Sequence, residues 1–359
     1  MFAKELILSD FRNYHEIKLD FDAGINVLWG DNGAGKTNVL EAVYLASAGR
    51  SHRTARDKEL VRIGTQNAFV HIKVSRKDGG TDVDIMIPQS GQRRIKVNGK
   101  YINRMAQLMG VITAVIFSPE DLKLIKEGPD ERRRFIDIFA SQIKPDYLYN
   151  LQNYYKVLEN RNKILKDIKY GHASSDFLDI WDEQLAHFGS EIIKYRFFFV
   201  NEINSEIESI HDYITNGKEF IKLFYKNTAP GSAREFIAEL RKKRDIDIRI
   251  GVTSVGPHRD DIAVFINDMD MRYYGSQGQQ RTAALSLKLS QLKVMERIIG
   301  EPPILLLDDV MSELDTIRQN MLMSYMAKYQ TMLTCAQMPG YLDSFDKKKV
   351  FHVVNGTIG

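Results

Sequence analysis

The chain has 359 residues, of which 43% are hydrophobic and 27% are charged, a balance typical of globular proteins. Its length exceeds that of most single compact units, so we expect two lobes. The single cysteine, Cys335, excludes an internal disulfide. No run of residues approaches the ~20 apolar positions of a membrane span, and the N-terminus begins with a strand pattern rather than a signal peptide. These features predict a cytoplasmic protein with no membrane partner, and the net charge of +3 permits a nucleic-acid partner without requiring one.

The first third of the chain predicts β-strands and one helix. Apolar and polar residues alternate, as they do in half-buried strands, over positions 3–8, 16–21, 68–74 and 82–87. Residues Ile95 to Ile102 also alternate, and the Asn98-Gly99 pair at their centre favours a two-residue hairpin turn.

A glycine-rich motif lies between the second and third of these strands. It reads Gly30-Asp31-Asn32-Gly33-Ala34-Gly35-Lys36-Thr37 and fits the nucleotide-phosphate pattern G-x-x-x-x-G-K-[S/T]. A short apolar strand precedes it and helical spacing follows it, which is the context that this motif needs. Backbone N–H groups of such a loop wrap phosphates, while Lys36 is placed to reach the β- and γ-phosphates and Thr37 to bind Mg²⁺. The alternative is a glycine-rich turn that carries Lys-Thr by chance.

The middle of the chain predicts helices. From about residue 119 to residue 245 the apolar spacing is helical and Gly and Pro are rare, and the strand pattern returns at 262–266. We therefore expect an α/β ATPase head with a mixed β-sheet and helices, formed by residues 1–118 and 255–359. This head encloses an inserted, mainly helical lobe of residues 119–254. Heptads are not sustained long enough for coiled-coil arms.

An acidic pair follows an apolar strand near the C-terminus. Residues Ile304 to Leu307 predict a buried strand that ends in Asp308-Asp309. In a chain with a phosphate loop, Asp308 is the candidate carboxylate ligand of Mg²⁺. The next residue, Asp309, is placed to orient or deprotonate the attacking water. The alternative is a solvated strand end, because Asp pairs commonly start turns.

The order of two further motifs decides the subclass. Ser276-Gln277-Gly278-Gln279 precedes a helix that Ser276 can cap, and Gly278 lets backbone approach a ligand. About thirty residues later comes the acidic strand, and Ser312-Glu313-Leu314-Asp315 follows it. This order resembles the ATP-binding-cassette superfamily: phosphate loop, signature motif, acidic strand, D-loop. Two positions depart from that pattern, since Gln277 replaces a glycine and Asp309 replaces a glutamate. Because the Asp309 side chain is one methylene shorter than that of glutamate, we expect slow hydrolysis.

Five other blocks are similar to the RecF family of bacterial recombination-mediator ATPases, in order along the chain. They are Phe11-Arg12-Asn13-Tyr14, Gly49-Arg50-Ser51-His52-Arg53, Phe117-Ser118-Pro119-Glu120-Asp121, Glu127-Gly128-Pro129-Asp130-Glu131-Arg132-Arg133-Arg134 and Val255-Gly256-Pro257-His258-Arg259-Asp260-Asp261. Two cassette elements are weak: Ser118-Pro119-Glu120 stands where a glutamine loop is expected, and Leu333-Thr334-Cys335-Ala336-Gln337 stands where a switch histidine is expected.

The resemblance carries a function. It implies a weak ATPase with ATP and Mg²⁺ as cofactors, in which Arg12, Asn13, Ser276, Gly278 and Gln279 join the phosphate loop in binding ATP. It also implies an ATP-dependent homodimer that binds DNA at single-stranded gaps and at junctions of single and double strands. The implied partners are RecR and RecO, and the implied roles are RecA loading, replication, repair and the SOS response.

Basic residues around the predicted hairpin are candidates for DNA contact. They are Arg93, Arg94, Lys96, Lys100 and Arg104. Most clusters of this kind are solvated faces, so the resemblance rather than the charge pattern supports DNA binding.

Two other protein classes share parts of this pattern. The first is the ATPase subunit of a membrane transporter, which the long helical insertion and the RecF-like blocks oppose. The second is an SMC-like DNA tether, which the missing coiled coil disfavours.

Overall fold

The structure is a computed structural model that describes residues 1–338, 340–345 and 347–359. The chain divides into two compact units. The first unit comprises Met1–Asp121 and Lys288–Gly359, and the second comprises Leu122–Leu287. Among the described residues, no helix has both the length and the apolar character required to cross a membrane.

The chain forms groups of consecutive strands and groups of consecutive helices. In chain order the strands are β1 (Phe2–Phe11), β2 (Tyr14–Asp20), β3 (Ile25–Trp29), β4 (Asn67–Arg76), β5 (Gly79–Pro88), β6 (Arg94–Val97), β7 (Lys100–Ile102), β8 (Ala114–Phe117), β9 (Ile221–Lys226), β10 (Asp261–Ile266), β11 (Met269–Asp270), β12 (Ile304–Asp308), β13 (Thr331–Cys335), β14 (Lys348–Val354) and β15 (Thr357–Ile358). The α-helices are α1 (Lys36–Ala48), α2 (Lys123–Lys126), α3 (Pro129–Ile143), α4 (Pro145–Lys169), α5 (Leu178–Thr215), α6 (Ala233–Ile250), α7 (Met271–Tyr274), α8 (Gln277–Ile299) and α9 (Thr316–Met326).

The described residues of the first unit form two six-stranded sheets. One is antiparallel, in the order β2-β1-β4-β5-β6-β7, and includes all four strands that alternation predicts. The other has the order β15-β14-β3-β13-β12-β8, and all its pairings except β14–β15 are parallel. Strands β8 and β12 are buried along their whole length, as expected for parallel strands that are covered on both faces. The predicted α/β class is confirmed.

The predicted hairpin is present as β6 and β7. Asn98 and Gly99 have φ values of 49° and 75°, the left-handed pair that a type I′ turn requires. The turn therefore fixes the register in which Val97 faces Lys100.

The second unit is mainly helical but contains a sheet of its own. Strand β10 pairs antiparallel with β9, with Ile266 opposite Ile221, and β11 completes three strands. The sequence led us to expect a return to the ATPase head at 262–266, whereas β10 lies in the second compact unit. The reason is that β9 lies inside a stretch whose spacing predicts helix, so the partner of β10 is not evident. The second boundary between the compact units lies at 287/288 rather than at 254/255.

Two fully buried arginines organise the core of the second unit. Arg161 donates from Nε to Asp182 at 2.7 Å and from Nη1 to Asp247 at 2.9 Å. Arg196 pairs with Asp137 at 2.8 Å and donates to the carbonyl oxygen of Pro257 at 2.6 Å. Because a buried charge must keep its partner, these ion pairs fix how the helices meet. They explain why charged residues occur inside helices that otherwise bury apolar faces.

His258 lies in the same core as a neutral ring. Its Nε2 atom is 3.0 Å from the Thr253 carbonyl oxygen and its Nδ1 atom is 2.7 Å from the Tyr154 hydroxyl. With hydrogen on Nε2, the ring donates to the carbonyl and accepts from the hydroxyl, so the neutral form is fully bonded. Burial lowers the pKa of His258 to about 4.

Stability is therefore expected to fall as the pH is lowered from about 6.5 towards 4. In this window the unfolded chain binds a proton on His258 and the folded chain does not, so the free energy of unfolding decreases with falling pH. The contribution of one such group is at most about 1.4 kcal/mol per pH unit. Urea unfolding of the wild type and of His258→Gln at pH 7 and pH 5 measures it. The variant should lose less stability between the two pH values; an equal loss would show that His258 does not titrate in this way.

Candidate nucleotide site

The phosphate loop connects β3 to α1, as the sequence predicts. Gly30, Gly33 and Gly35 have φ values of 148°, 83° and 120°, a region that side chains other than glycine rarely adopt. At Gly35 an added Cβ would lie 2.7 Å from Nδ2 of Asn13 and 2.9 Å from the Tyr14 hydroxyl. The loop thus requires glycine both for its backbone conformation and for the space around it.

Lys36 lies at the first position of α1 and is almost completely buried. Its Nζ atom donates to the carbonyl oxygens of Gly30 at 2.7 Å and Asp31 at 2.9 Å. These bonds hold the ammonium group inside the curl of the loop. An ammonium group there, with N–H groups at a helix N-terminus, fits a polyphosphate.

The acidic strand end lies beside the loop. Strands β3 and β12 flank β13 in the parallel sheet, so their carboxyl ends meet at one edge. The Thr37 hydroxyl donates to Oδ1 of Asp308 at 2.7 Å. The structure therefore brings together the two residues predicted to bind Mg²⁺.

Asp308 has the chemistry of a cation ligand. Burial raises its pKa, against hydrogen bonds from Thr37 and Thr334 that lower it, so a neighbouring cation would stabilise the charged form. In the described part of the chain no group of three or more His, Cys, Asp or Glu side chains is placed to hold a metal. A magnesium ion at this site would therefore complete its oxygen shell with phosphate and water.

Thr334 is a site residue that sequence analysis did not single out. Its hydroxyl donates to Oδ1 of Asp308 at 2.9 Å and accepts from the backbone N–H of Asp309 at 2.9 Å. It belongs to the stretch noted for lacking the switch histidine. In the sequence, the signal for Thr334 was its position near the end of the apolar stretch that forms β13. The structure shows that this strand lies between β3 and β12.

Asp309 follows the strand in an unusual conformation. Its φ of 52° is left-handed, and its side chain is partly exposed. This conformation turns the chain sharply after β12, so the two adjacent aspartates occupy different environments.

Arg12 makes an ion pair with a buried helix residue. Its guanidinium group donates to Glu41 from Nε at 2.8 Å and from Nη2 at 2.6 Å. The Glu41 side chain is fully buried, and its pKa is lowered because hydrogen bonds from Arg12 and Ser51 outweigh the opposing effect of burial. Arg53 lies 3.5 Å from the same carboxylate. Glu41 was missed as a supporting residue, although a lone acid in the apolar run after the loop was a visible signal.

Asn13 contacts the loop directly. It donates from Nδ2 to the carbonyl oxygen of Ala34 at 2.8 Å and accepts from the side chain of Asn38 at 2.8 Å. The tight fit between its side chain and Gly35 makes it part of the wall of the loop. Its predicted contact with ATP stays a prediction.

The signature residues lie in the second unit, at the start of α8. The Ser276 hydroxyl accepts from the backbone N–H of Gln279 at 3.2 Å, and the side-chain oxygen of Gln279 accepts from the backbone N–H of Ser276 at 3.0 Å. These reciprocal bonds form a capping box. Gly278 lies in the first turn, where its carbonyl oxygen accepts from Thr282 at 2.9 Å. Ser276 therefore caps α8, as predicted.

One of the five basic DNA candidates is engaged within the fold. Arg93 donates from Nε and Nη2 to the two carboxylate oxygens of Asp57, and from Nη1 to the Gly49 carbonyl oxygen at 2.7 Å. Its side chain is only 12% exposed. Arg93 is therefore engaged within the first unit, and its predicted contact with DNA stays a prediction. Sequence could not reveal this, because Asp57 is distant along the chain.

The other four candidates lie on or beside the hairpin. Arg94, Lys100 and Arg104 are exposed, and Lys96 is partly covered, with its Nζ atom 4.7 Å from the centre of the Tyr101 ring. They form a basic edge on the first unit.

The parallel sheet, its phosphate loop and the aspartate at the end of β12 define the ATPase fold of the ABC/SMC type. A family model described as "RecF/RecN/SMC N terminal domain" matches residues 2–357. Proteins named DNA replication and repair protein RecF from Lachnoclostridium phytofermentans and Lachnospira eligens are 42% and 44% identical to this chain. Each match covers 100% of this chain and 99% of the relative. The chain belongs to the RecF family.

Solved structures agree with this assignment. A structure described as the recombination mediator protein RecF-ATP in the RecFOR pathway matches with a TM-score of 0.93 at 36% identity, covering 99% of this chain and 96% of that one. An Smc head domain derived from Pyrococcus furiosus, bound to the C-terminal domain of ScpA, matches with a TM-score of 0.57 at 16% identity and covers 99% of this chain and 95% of that one. The latter likeness concerns the fold alone.

Proposed function

We propose that this chain is a cytoplasmic, ATP-dependent DNA-binding protein of recombinational repair and replication restart. It acts at single-stranded gaps, with RecO and RecR as partners, promotes RecA loading and contributes to SOS induction. Support for the pathway comes from relatives named for DNA replication and repair and for the RecFOR pathway. These full-length matches do not favour the transporter subunit or the tether.

The observation that carries the ATP-dependent part is the contact between Thr37 and Asp308 beside a buried Lys36. ATP and Mg²⁺ would be held by the loop backbone, Lys36, Thr37 and Asp308. The bound nucleotide supplies a γ-phosphate whose presence or absence can be sensed. Asp309 is the proposed base, and its short side chain suits slow turnover. The protein is thus a weak ATPase that uses hydrolysis as a switch.

The proposed active form is a homodimer. In cassette ATPases a signature helix meets the phosphate loop of another chain, and two-fold symmetry then creates two equivalent sites. Here the capping box presents Ser276 and the N-terminus of α8, a favourable place for an anion. The ATP-bound dimer acts as a clamp on DNA. Hydrolysis removes the γ-phosphate contact, so this clamp opens.

The proposed DNA contacts are the four residues of the basic edge: Arg94, Lys96, Lys100 and Arg104. Their charges are available to phosphate groups, since none of the four forms an ion pair with an acid in the described part of the chain. Lysine and arginine contacts with phosphates make binding strongly dependent on salt. A change at this edge should therefore weaken binding to all DNA sequences alike.

Ser276→Arg tests the composite site. We expect this change to abolish ATP-dependent dimerisation and DNA retention while leaving the ATP affinity of the single chain within about twofold, because the cation and bulk block only the partner's approach. The measurements are titration with a labelled ATP analogue, mass by light scattering, and DNA retention at fixed salt with ATP, ADP and a non-hydrolysable analogue.

Ser175→Arg is the matched control. Ser175 is exposed in the short turn between α4 and α5, so this variant adds the same charge away from the capping box and should behave as the wild type. If Ser276→Arg still dimerises on ATP, the composite site does not exist. If its monomer loses ATP binding, Ser276 belongs to the pocket of its own chain.

A further inference from the structure

A chain of hydrogen bonds joins the signature motif to a buried histidine on another helix of the second unit. The side-chain nitrogen of Gln279 donates to Oε1 of Glu219 at 2.9 Å. The other oxygen of Glu219 lies 3.2 Å from Nε2 of His211, and Nδ1 of His211 lies 3.0 Å from the Ser286 hydroxyl. The chain therefore leaves α8 at Gln279 and returns to it at Ser286.

The geometry fixes the orientation of the Gln279 amide. Its oxygen accepts from the backbone N–H of Ser276, and its nitrogen donates to Glu219. A rotated amide would place its nitrogen against an N–H donor and its oxygen against a carboxylate, so both bonds would be lost. Glu219 thus selects the one orientation in which Gln279 completes the capping box.

His211 in turn holds Glu219. Its side chain is fully buried near the C-terminal end of α5, whereas the Glu219 side chain is 20% exposed. A carboxylate only accepts, so Nε2 carries the hydrogen that points to Glu219. Positions 279 and 286 are two helical turns apart and share one face of α8. Glu219 and His211 therefore contact that face of α8 at two positions, Gln279 and Ser286.

We propose that Glu219 and His211 are positioning residues. They hold the signature motif, Ser276 to Gln279, in the conformation that binds the partner's nucleotide. This inference rests on the proposed dimeric function and extends it, because it links the signature motif directly to α5. A displacement of Ser276 would break the bonds of Gln279 and pass through Glu219 to the buried histidine.

Three variants of the full chain test the proposal. Glu219→Ala removes both bonds. Glu219→Gln keeps an oxygen for the Gln279 amide and offers an N–H to Nε2 of the ring, with Nδ1 then carrying hydrogen towards Ser286. Glu208→Ala is the control, because Glu208 is an exposed acid that lines, together with Glu219, a cleft of about 510 Å³.

Two readouts separate this proposal from the proposed function. The first is backbone amide exchange of residues 276–282 in the monomer, which reports local opening. The second is the protein concentration at which half of the chains dimerise with ATP. For Glu219→Ala we expect exchange and that concentration to rise about tenfold, in keeping with the loss of one or two hydrogen bonds, while ATP affinity of the monomer stays unchanged. Glu219→Gln should lie within about threefold of the wild type, and Glu208→Ala should match it.

The outcomes are distinct. Unchanged exchange in Glu219→Ala, or a Gln variant as defective as the Ala variant, would overturn the positioning role whatever the oligomeric state. Wild-type protein that stays monomeric with ATP would overturn the dimeric clamp, while the exchange data still decide the role of Glu219. If Glu219→Ala does not fold, Glu219→Asp gives the same comparison, since it withdraws the carboxylate by one methylene.

Discussion

Lys36→Arg is expected to reduce ATP turnover by at least about 100-fold, as the loss of a preorganised donor at a reacting phosphate does. The lysine is a compact point charge that fits inside the loop, bonded to two loop carbonyl oxygens. A planar guanidinium group is larger and its donors diverge, so it cannot occupy the same enclosed position. Weak nucleotide binding should survive, because the loop N–H groups remain.

Steady-state phosphate release and titration with a labelled ATP analogue measure the two effects separately. Lys100→Arg is the matched control, since Lys100 is exposed on the hairpin and the same substitution there should leave turnover unchanged. Unaltered hydrolysis by purified Lys36→Arg protein would refute the phosphate-loop assignment.

Asp309→Asn is expected to trap the ATP-bound dimer. The change removes the proposed base, a loss typically worth about 100-fold or more in rate. It should not disturb the fold, because Asp309 has a φ of 52° and asparagine tolerates the left-handed region. The backbone bond to Thr334 is also retained. Sedimentation with ATP should therefore show a dimer that persists far longer than that of the wild type.

Asp308→Asn separates the roles of the two aspartates. It weakens the proposed Mg²⁺ ligand beside Thr37, so ATP-driven dimerisation should fail rather than persist. If Asp309→Asn stays monomeric under conditions in which the wild type dimerises, the roles assigned to Asp308 and Asp309 are wrong.

The local parts of the fold were predictable because short stretches determine them. The glycine loop needs only its own backbone and the adjoining strand and helix, and the hairpin needs only Asn98-Gly99. The partnership of β9 and β10 was not predictable. Strand β9 is six residues long within a helical stretch, and its pairing depends on interactions between segments that are distant along the chain.

The candidate site shows the same division. Lys36, Thr37, Asp308 and the cap at Ser276 belong to motifs whose spacing carries their chemistry. Glu41 and Thr334 act through partners from other segments, so their own surroundings in the sequence say little. For Arg93 the sequence pattern misses a partner, because this basic residue beside a basic hairpin is paired with Asp57. The sequence shows where basic residues lie along the chain, but only the fold shows which of them form ion pairs with acidic residues.

Strand β14 makes the phosphate loop dependent on a segment that is synthesised long after the loop itself. An added Cβ on Gly30 would lie 2.2 Å from the carbonyl oxygen of Val353, and the backbone N–H of Gly356 donates to Ala34 at 3.0 Å. The Trp29 and His352 rings stack with centroids 3.9 Å apart. A nascent chain that contains β3 and α1 but not β14 therefore has the phosphate-loop motif without the segment that packs against it. Because pairings between distant segments form late, we expect nucleotide binding only after β14 has been made and has paired with β3.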